Sequence, residues 1–318
     1  MSIASIAGHE LIPGKTVKDH IHVDGTEFYV PHVLLCGKED GPTVLITAGI
    51  HSAEYVGIQA AIELSNELDS DDLHGNVIIL PIVNRSGFEN RTMSMVYEDG
   101  KNLNRVFPGD AAGSESDRLA HMIFEVFIRS ADAYIDLHSG DGYETLVPYV
   151  YYLKDSPASD LSFHMAECVN TEYVVPSGCK TGGAYNLASM HGIPSILIER
   201  GQLSLYHREE IEADKEDVRN ILRRLNVLDG SWNTYEKTVL RELSDDAPFT
   251  GCWYPRYSAG DSFRKGDKLG EIRDYFGQLL YEEIAPCDGI LIHQCSHLNI
   301  IEGGPMVTYG VRYEEEDE

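Results

Sequence analysis

The chain has 318 residues, 42% of them hydrophobic and 24% charged, and its 25 basic against 52 acidic side chains leave a formal charge of −27. Such a balance repels phosphate backbones and anionic lipid surfaces, which argues against nucleic acid or a membrane as partner. No run of about 18 apolar residues is present, so a transmembrane helix is not expected. An anionic substrate would need a local basic contact in an otherwise repulsive field.

The six cysteines, Cys36, Cys168, Cys179, Cys252, Cys287 and Cys295, include no Cys-x-x-Cys pair. That spacing suits neither a disulfide framework nor a cysteine-rich zinc site, and it fits a reducing compartment, the cytoplasm by default. Met1–Pro13 shows no basic region and no small-residue cleavage pattern, so no secretory signal is expected. Oligomeric state is open, a homo-oligomer included.

Strand-like segments around Val17–Val23 and Phe28–Leu35 precede Gly41-Pro42. Thr43–Ile50 then reads as a buried strand and Glu54–Leu68 as a helix, with Val56, Ile58, Ala61, Ile62 and Leu64 at helical spacing. Asn76–Val83 is the next strand, followed by a long polar loop over Arg85–Gly113. Ser114–Asp117 offers caps for a helix running to Arg129. Ala133–Leu137 and Val147–Leu153 are expected strands, Ser159–Val169 a helix, Tyr173–Val175 extended, Ala184–Met190 a helix and Pro194–Ile198 a strand. Arg208–Leu228 is a helix with Glu-to-Arg spacings.

After about Leu243 short apolar segments alternate with glycines, so Ala247–Tyr313 reads as all-β, with Ser244–Pro248 as a linker and Glu314–Glu318 as a frayed tail. The expected architecture is therefore α/β, a mixed and mostly parallel sheet with helices on both faces, over residues 1–243. A small all-β, barrel-like unit at 244–318 follows it.

Four apolar runs end on residues able to do chemistry: Thr43–Ile50 on His51, Val77–Val83 on Asn84, Ala133–Leu137 on His138 and Ile196–Ile198 on Glu199. Open α/β sheets bind ligands beyond the carboxyl ends of their strands. His51 and Glu54 flank a strand-to-helix junction and suit zinc, although a glutamate there could equally serve the helix dipole. Period two puts Asp136 and His138 on one face, with His138 as a third ligand or a satisfied polar group at the sheet rim. Three protein ligands with a fourth position left for water is the catalytic arrangement. Glu199 would serve as general base beside a metal, or else pair with Arg200 or another arginine. In the 85–113 loop, Arg91 and Asn104-Arg105 could supply the missing anion contact.

Taken together, Gly49-Ile50-His51-Ser52-Ala53-Glu54, Arg91, Leu103-Asn104-Arg105-Val106-Phe107-Pro108-Gly109, Asp136-Leu137-His138 and Ile198-Glu199 resemble the zinc carboxypeptidase superfamily, and within it the succinylglutamate desuccinylase/aspartoacylase family. The resemblance runs over residues 40–313. It implies one Zn2+ per chain on His51, Glu54 and His138, and Glu199 as base and later proton donor. It further implies Arg91 at the scissile carbonyl, and Asn104 and Arg105 on a substrate carboxylate.

Three departures favour the broader deacylase branch. Ser52-Ala53 replaces the Gly-Asn of aspartoacylases, and Arg91 stands thirteen positions before Asn104, a longer gap than theirs. Asn102 occupies a place where relatives often carry aspartate, which would make the support of a zinc-bound histidine neutral. The C-terminal Gly260–Gly270 and Ala285–Gly289 are reminiscent of biotinyl- and lipoyl-type barrels, but Glu271–Ile284 holds no lysine to modify. A cap over the cleft is the expected role, with Tyr275 and Tyr281 as candidates for reaching substrate.

The expected function is a zinc-dependent hydrolase that cleaves the amide of a small anionic N-acyl amino acid. The alternatives are a zinc carboxypeptidase acting on peptides, which an open cleft would favour, and a catalytically silent binding protein of the same fold.

Overall fold

The computed structural model describes residues 5–178 and 180–313; the acidic tail and Cys179 lie outside them. A two-residue pair, β1 (Ser5–Ile6) with β2 (His9–Glu10), opens the chain. There follow β3 (Thr16–His22), β4 (Tyr29–Cys36), β5 (Glu39–Ala48), α1 (Tyr55–Glu67), β6 (His74–Leu80), α2 (Arg85–Asn90) and α3 (Glu115–Met122). Next come β7 (Ala133–His138), β8 (Glu144–Leu146), β9 (Tyr149–Leu153), α4 (Ser159–Ala166), β10 (Tyr173–Ser177), α5 (Ala184–Met190), β11 (Ser195–Glu199) and α6 (Arg208–Arg224). The rest is β12 (Thr238–Asp246), β13 (Gly251–Pro255), β14 (Ser262–Phe263), β15 (Lys268–Arg273), β16 (Leu279–Ile284), β17 (Gly289–Cys295), β18 (Asn299–Ile300) and β19 (Pro305–Arg312).

One mixed sheet carries most of these strands, in the order β14-β17-β19-β12-β10-β9-β11-β7-β5-β6-β4-β3, with β8 paired to β17. Its middle is mostly parallel: β6, β5, β7 and β11 run together, β9 turns against β11, and β9, β10 and β12 are parallel again. Successive residues of β5 alternate between the two faces, so Val44, Ile46 and Ala48 meet α1, α4 and α6, while Leu45 meets α3 and α5. Both faces being covered is what makes the central strands continuous apolar runs.

Helix α1 sits unusually close to the sheet. Gly57 permits this, because a Cβ there would fall 2.7 Å from Leu137 Cβ and 3.0 Å from its carbonyl oxygen. Glycine costs helix stability, and here it sets the depth at which the start of α1 meets the end of β7.

Two expectations are corrected. Arg85–Gly113 is not a bare loop, since it holds α2, whose cap Asn84 accepts from Gly87 N–H, and a 3-10 turn at Leu103–Arg105. Ser244–Asp246 is strand rather than linker, because β12 pairs with β10 on one edge and β19 on the other. The strands after β12 also form a four-stranded sheet, β16-β15-β13-β18, packed around Trp253. Among the described residues no helix is long and apolar enough to cross a membrane.

Candidate metal centre and active site

Parallel pairing brings the chemistry together. Ala48 of β5 lies opposite Leu137 of β7, and His138 lies opposite Glu199 of β11, so three strand ends open onto one edge. His51 follows β5 after two residues, and Glu54 is the residue preceding α1 rather than a member of its first turn. Its carboxylate does not cap that helix. Glu54 instead accepts from Ser139 N–H at 3.1 Å and spans two imidazoles, with Oε1 2.7 Å from His51 Nδ1 and Oε2 2.8 Å from His138 Nδ1. The two rings stand edge to face at 4.9 Å.

The outer nitrogens face oxygens as well. His138 Nε2 faces Asp136 Oδ2 at 3.2 Å, and Asp136 is itself fixed by the Thr47 hydroxyl at 2.6 Å. His51 Nε2 lies 3.0 Å from Asn102 Oδ1. That atom also accepts from Asn104 N–H at 2.9 Å, which identifies it as oxygen and makes His51 Nε2 the proton donor. The lone pair of His51 is thereby left on Nδ1, facing Glu54.

Ligand atoms of His51, Glu54 and His138 all lie within 4.8 Å of one another and could hold a metal ion. Two imidazoles and a carboxylate, each imidazole backed by an oxygen acceptor, are the donor chemistry zinc takes. The donor set fits.

Electrostatics follow from burial and these pairs. Burial disfavours the Glu54 charge, but His138 and His51 outweigh it and bring its pKa to about 2. His138 is pulled down by burial and raised further by Glu54 and Asp136, ending well above the ordinary histidine value. The same carboxylates raise the basicity of the neutral ring toward a cation. Glu199 behaves oppositely: burial first, then the Glu54 charge, push its carboxyl up to about 8. Among the described residues it has no ion pair. Arg200 turns to the other face of the sheet, as period two requires, and meets Asp214 at 3.1 Å and Asp217 at 2.5 Å.

The basic residues lie on the 85–113 segment. Arg91 ends α2 in the left-handed region, φ 57°, exposed and without a carboxylate partner among the described residues. The stretch after it is tied to the centre through Ser52 N–H donating to Met93 O at 2.9 Å. Asn104 is buried; its Oδ1 accepts from Ala184 N–H at 3.0 Å at the start of α5, and among the described residues its Nδ2 donor has no partner. Arg105 is exposed, with Nη1 donating to Asn104 O at 2.9 Å.

A second charged pair borders the centre. His293 of β17 lies 3.2 Å from Glu144 of β8. Burial lowers the imidazole pKa, but the Glu144 charge prevails and lifts it to about 9. Neither residue stands out in the sequence; a lone histidine after Ile290-Leu291-Ile292 looks like any strand residue. Of the two tyrosines expected to reach substrate, Tyr275 is 79% exposed, and Tyr281 donates to Glu283 at 3.0 Å.

The architecture and centre define a mixed α/β protein with a largely buried His–Glu–His group at the carboxyl ends of its parallel strands. The succinylglutamate desuccinylase/aspartoacylase catalytic domain matches residues 40–225, and the chain belongs to that family. The N-alpha-acetyl-L-2,4-diaminobutyric acid deacetylase of Halomonas elongata is 35% identical over 147 residues, a match spanning 45% of this chain and 42% of that relative. The product-bound ectoine utilization protein EutE (DoeB) of Ruegeria pomeroyi superposes with a TM-score of 0.85 at 24% identity, over 96% of this chain and 98% of that one. A succinylglutamate desuccinylase/aspartoacylase from Rhodobacter sphaeroides gives 0.81 at 26% identity, over 91% and 90%.

Proposed function

We propose that this protein is a zinc-dependent deacylase that hydrolyses the amide bond of a small N-acyl amino acid. The observation that carries the reading is the largely buried His51–Glu54–His138 group beside Glu199, a carboxylate with no ion pair among the described residues. Bound by His51, Glu54 and His138, zinc would supply Lewis-acid polarisation and acidify water.

The side chains do the rest. Glu199 takes the proton from the attacking water and returns it to the departing nitrogen as the C–N bond breaks, so one carboxyl serves both halves of the reaction. Burial and the Glu54 charge raise its pKa, which favours holding the proton between the two steps. Arg91 meets the negative charge that develops on the carbonyl oxygen. Arg105, with the free amide donor of Asn104, grips the substrate carboxylate and supplies the cation that an acidic chain otherwise lacks. The strands after β12 cap the cleft and limit it to small substrates. Five free cysteines among the described residues suit the cytoplasm.

The diaminobutyrate relative directs the choice of amino acid. The test is a panel of N-acetyl and N-succinyl amino acids, Nα-acetyl-L-2,4-diaminobutyrate among them, assayed for amine release with zinc present. Turnover of one or more supports the reading; release only from peptide C-termini favours the carboxypeptidase alternative.

A further inference from the structure

A groove of about 450 Å³ lies away from the metal centre, on strands β10, β12, β19, β17 and β14. Strand register places much of its lining on one sheet face. Tyr173 pairs with Thr238, Leu240 with Arg312, Gly310 with Ile290 and Ile290 with Ser262. The partners along β12 and β19, 238 and 240, 310 and 312, are two apart and so share a side, and Arg264 directly follows β14. Leu240 and Ile290 give this face an apolar floor, and Arg312 and Arg264 also line the groove.

Charge matters in this groove, because the chain carries 52 acidic against 25 basic residues. Among the described residues neither Arg264 nor Arg312 has an ion pair. These two guanidinium forks, without an ion pair among the described residues, offer anions a local contact in a molecule that otherwise repels them. Each fork matches a carboxylate in bidentate geometry. The volume falls within the roughly 300–1,000 Å³ of small-molecule sites. Asp288 also lines the groove, with Oδ1 accepting from Lys265 N–H at 2.8 Å. Its charge disfavours a compact polyanion such as phosphate and favours two separate carboxylates joined by an apolar spacer, which the floor would contact.

We propose that this groove binds a small organic dicarboxylate, one carboxylate on each arginine, at a site separate from the reaction centre. Glutarate is the probe, titrated into the full-length protein by calorimetry with hydrogen exchange read by mass spectrometry. Glutarate should bind saturably, about tenfold more tightly than inorganic phosphate, and slow exchange in peptides covering 260–266 and 305–312. Arg264→Gln and Arg312→Gln should each weaken it about tenfold, a loss of one charge-assisted pair. Both side chains are exposed, so the variants should keep the parent melting temperature and deacylase turnover. Absence of saturable heat, or affinity unchanged in the double variant, overturns the proposal. So does binding abolished by Arg105→Gln alone, which would put glutarate in the reaction centre.

Discussion

Asn102 Oδ1 takes two hydrogen bonds at once, from His51 Nε2 at 3.0 Å and from the Asn104 backbone at 2.9 Å. One amide oxygen thus sets the tautomer of an imidazole in the candidate metal group and fixes the turn that carries Arg105. It is a neutral acceptor, whereas His138 has the carboxylate of Asp136. Losing such an outer partner typically costs 10–100-fold in metal affinity. Asn102→Ala is expected to weaken zinc by about that factor in a chelator competition, and Asn102→Asp to tighten it. Equal affinity in all three proteins would show that this contact does not tune the centre.

Glu199→Gln keeps the shape of the side chain and removes its basicity. Turnover should fall by about 10²–10⁴-fold, the usual worth of a positioned proton carrier, while zinc stoichiometry by elemental analysis stays unchanged. Stripping the metal from the parent protein should abolish turnover, and zinc should restore it. A Gln variant with parent activity would remove Glu199 from the mechanism.

The His293–Glu144 pair joins β17 to the segment following β7. For His293 the folded pKa, about 9, exceeds the ordinary 6.5, so its contribution is complete below 6.5 and disappears as pH rises through 9. Glu144 is pushed up by burial but brought below 4.5 by His293, so its share is present above 4.5 and disappears at lower pH. The side chains are 19% and 25% exposed, so water tempers the pair to about 1–3 kcal/mol. His293→Gln should therefore lower the melting temperature by a few degrees at pH 7, with the gap closing toward pH 10. A gap constant with pH would mean that packing, not charge, is responsible.

Gly57→Ala tests the close approach of α1. The added methyl meets Leu137 at 2.7 Å, and a well-packed core charges about 1–3 kcal/mol for such an intrusion. Because Glu54 stands three residues earlier, zinc affinity should drop together with stability in urea. Lost stability with unchanged metal affinity would uncouple the helix from the centre.

Strand ends were the readable part of this sequence. Continuous apolar runs marked β5, β7 and β11, and their terminal polar residues are the ones that register brings to a common edge. Alternation also decides a point that adjacency obscures: Arg200 follows Glu199 in sequence but faces Asp214 and Asp217 instead. What stayed hidden depends on distant pairing. His293 meets Glu144 only because β17 lies against β8, about 150 positions earlier, and no local pattern announces that contact. Helix α2 was missed because its six residues are too few for a periodic apolar stripe.

The double duty of Asn102 bears on how this scaffold can diverge. A stretch that steadies an imidazole from behind while carrying an exposed arginine cannot be lengthened or recut freely. On the proposed reading, changes of substrate preference should therefore accumulate first around His293 and Glu144, away from His51, Glu54 and His138.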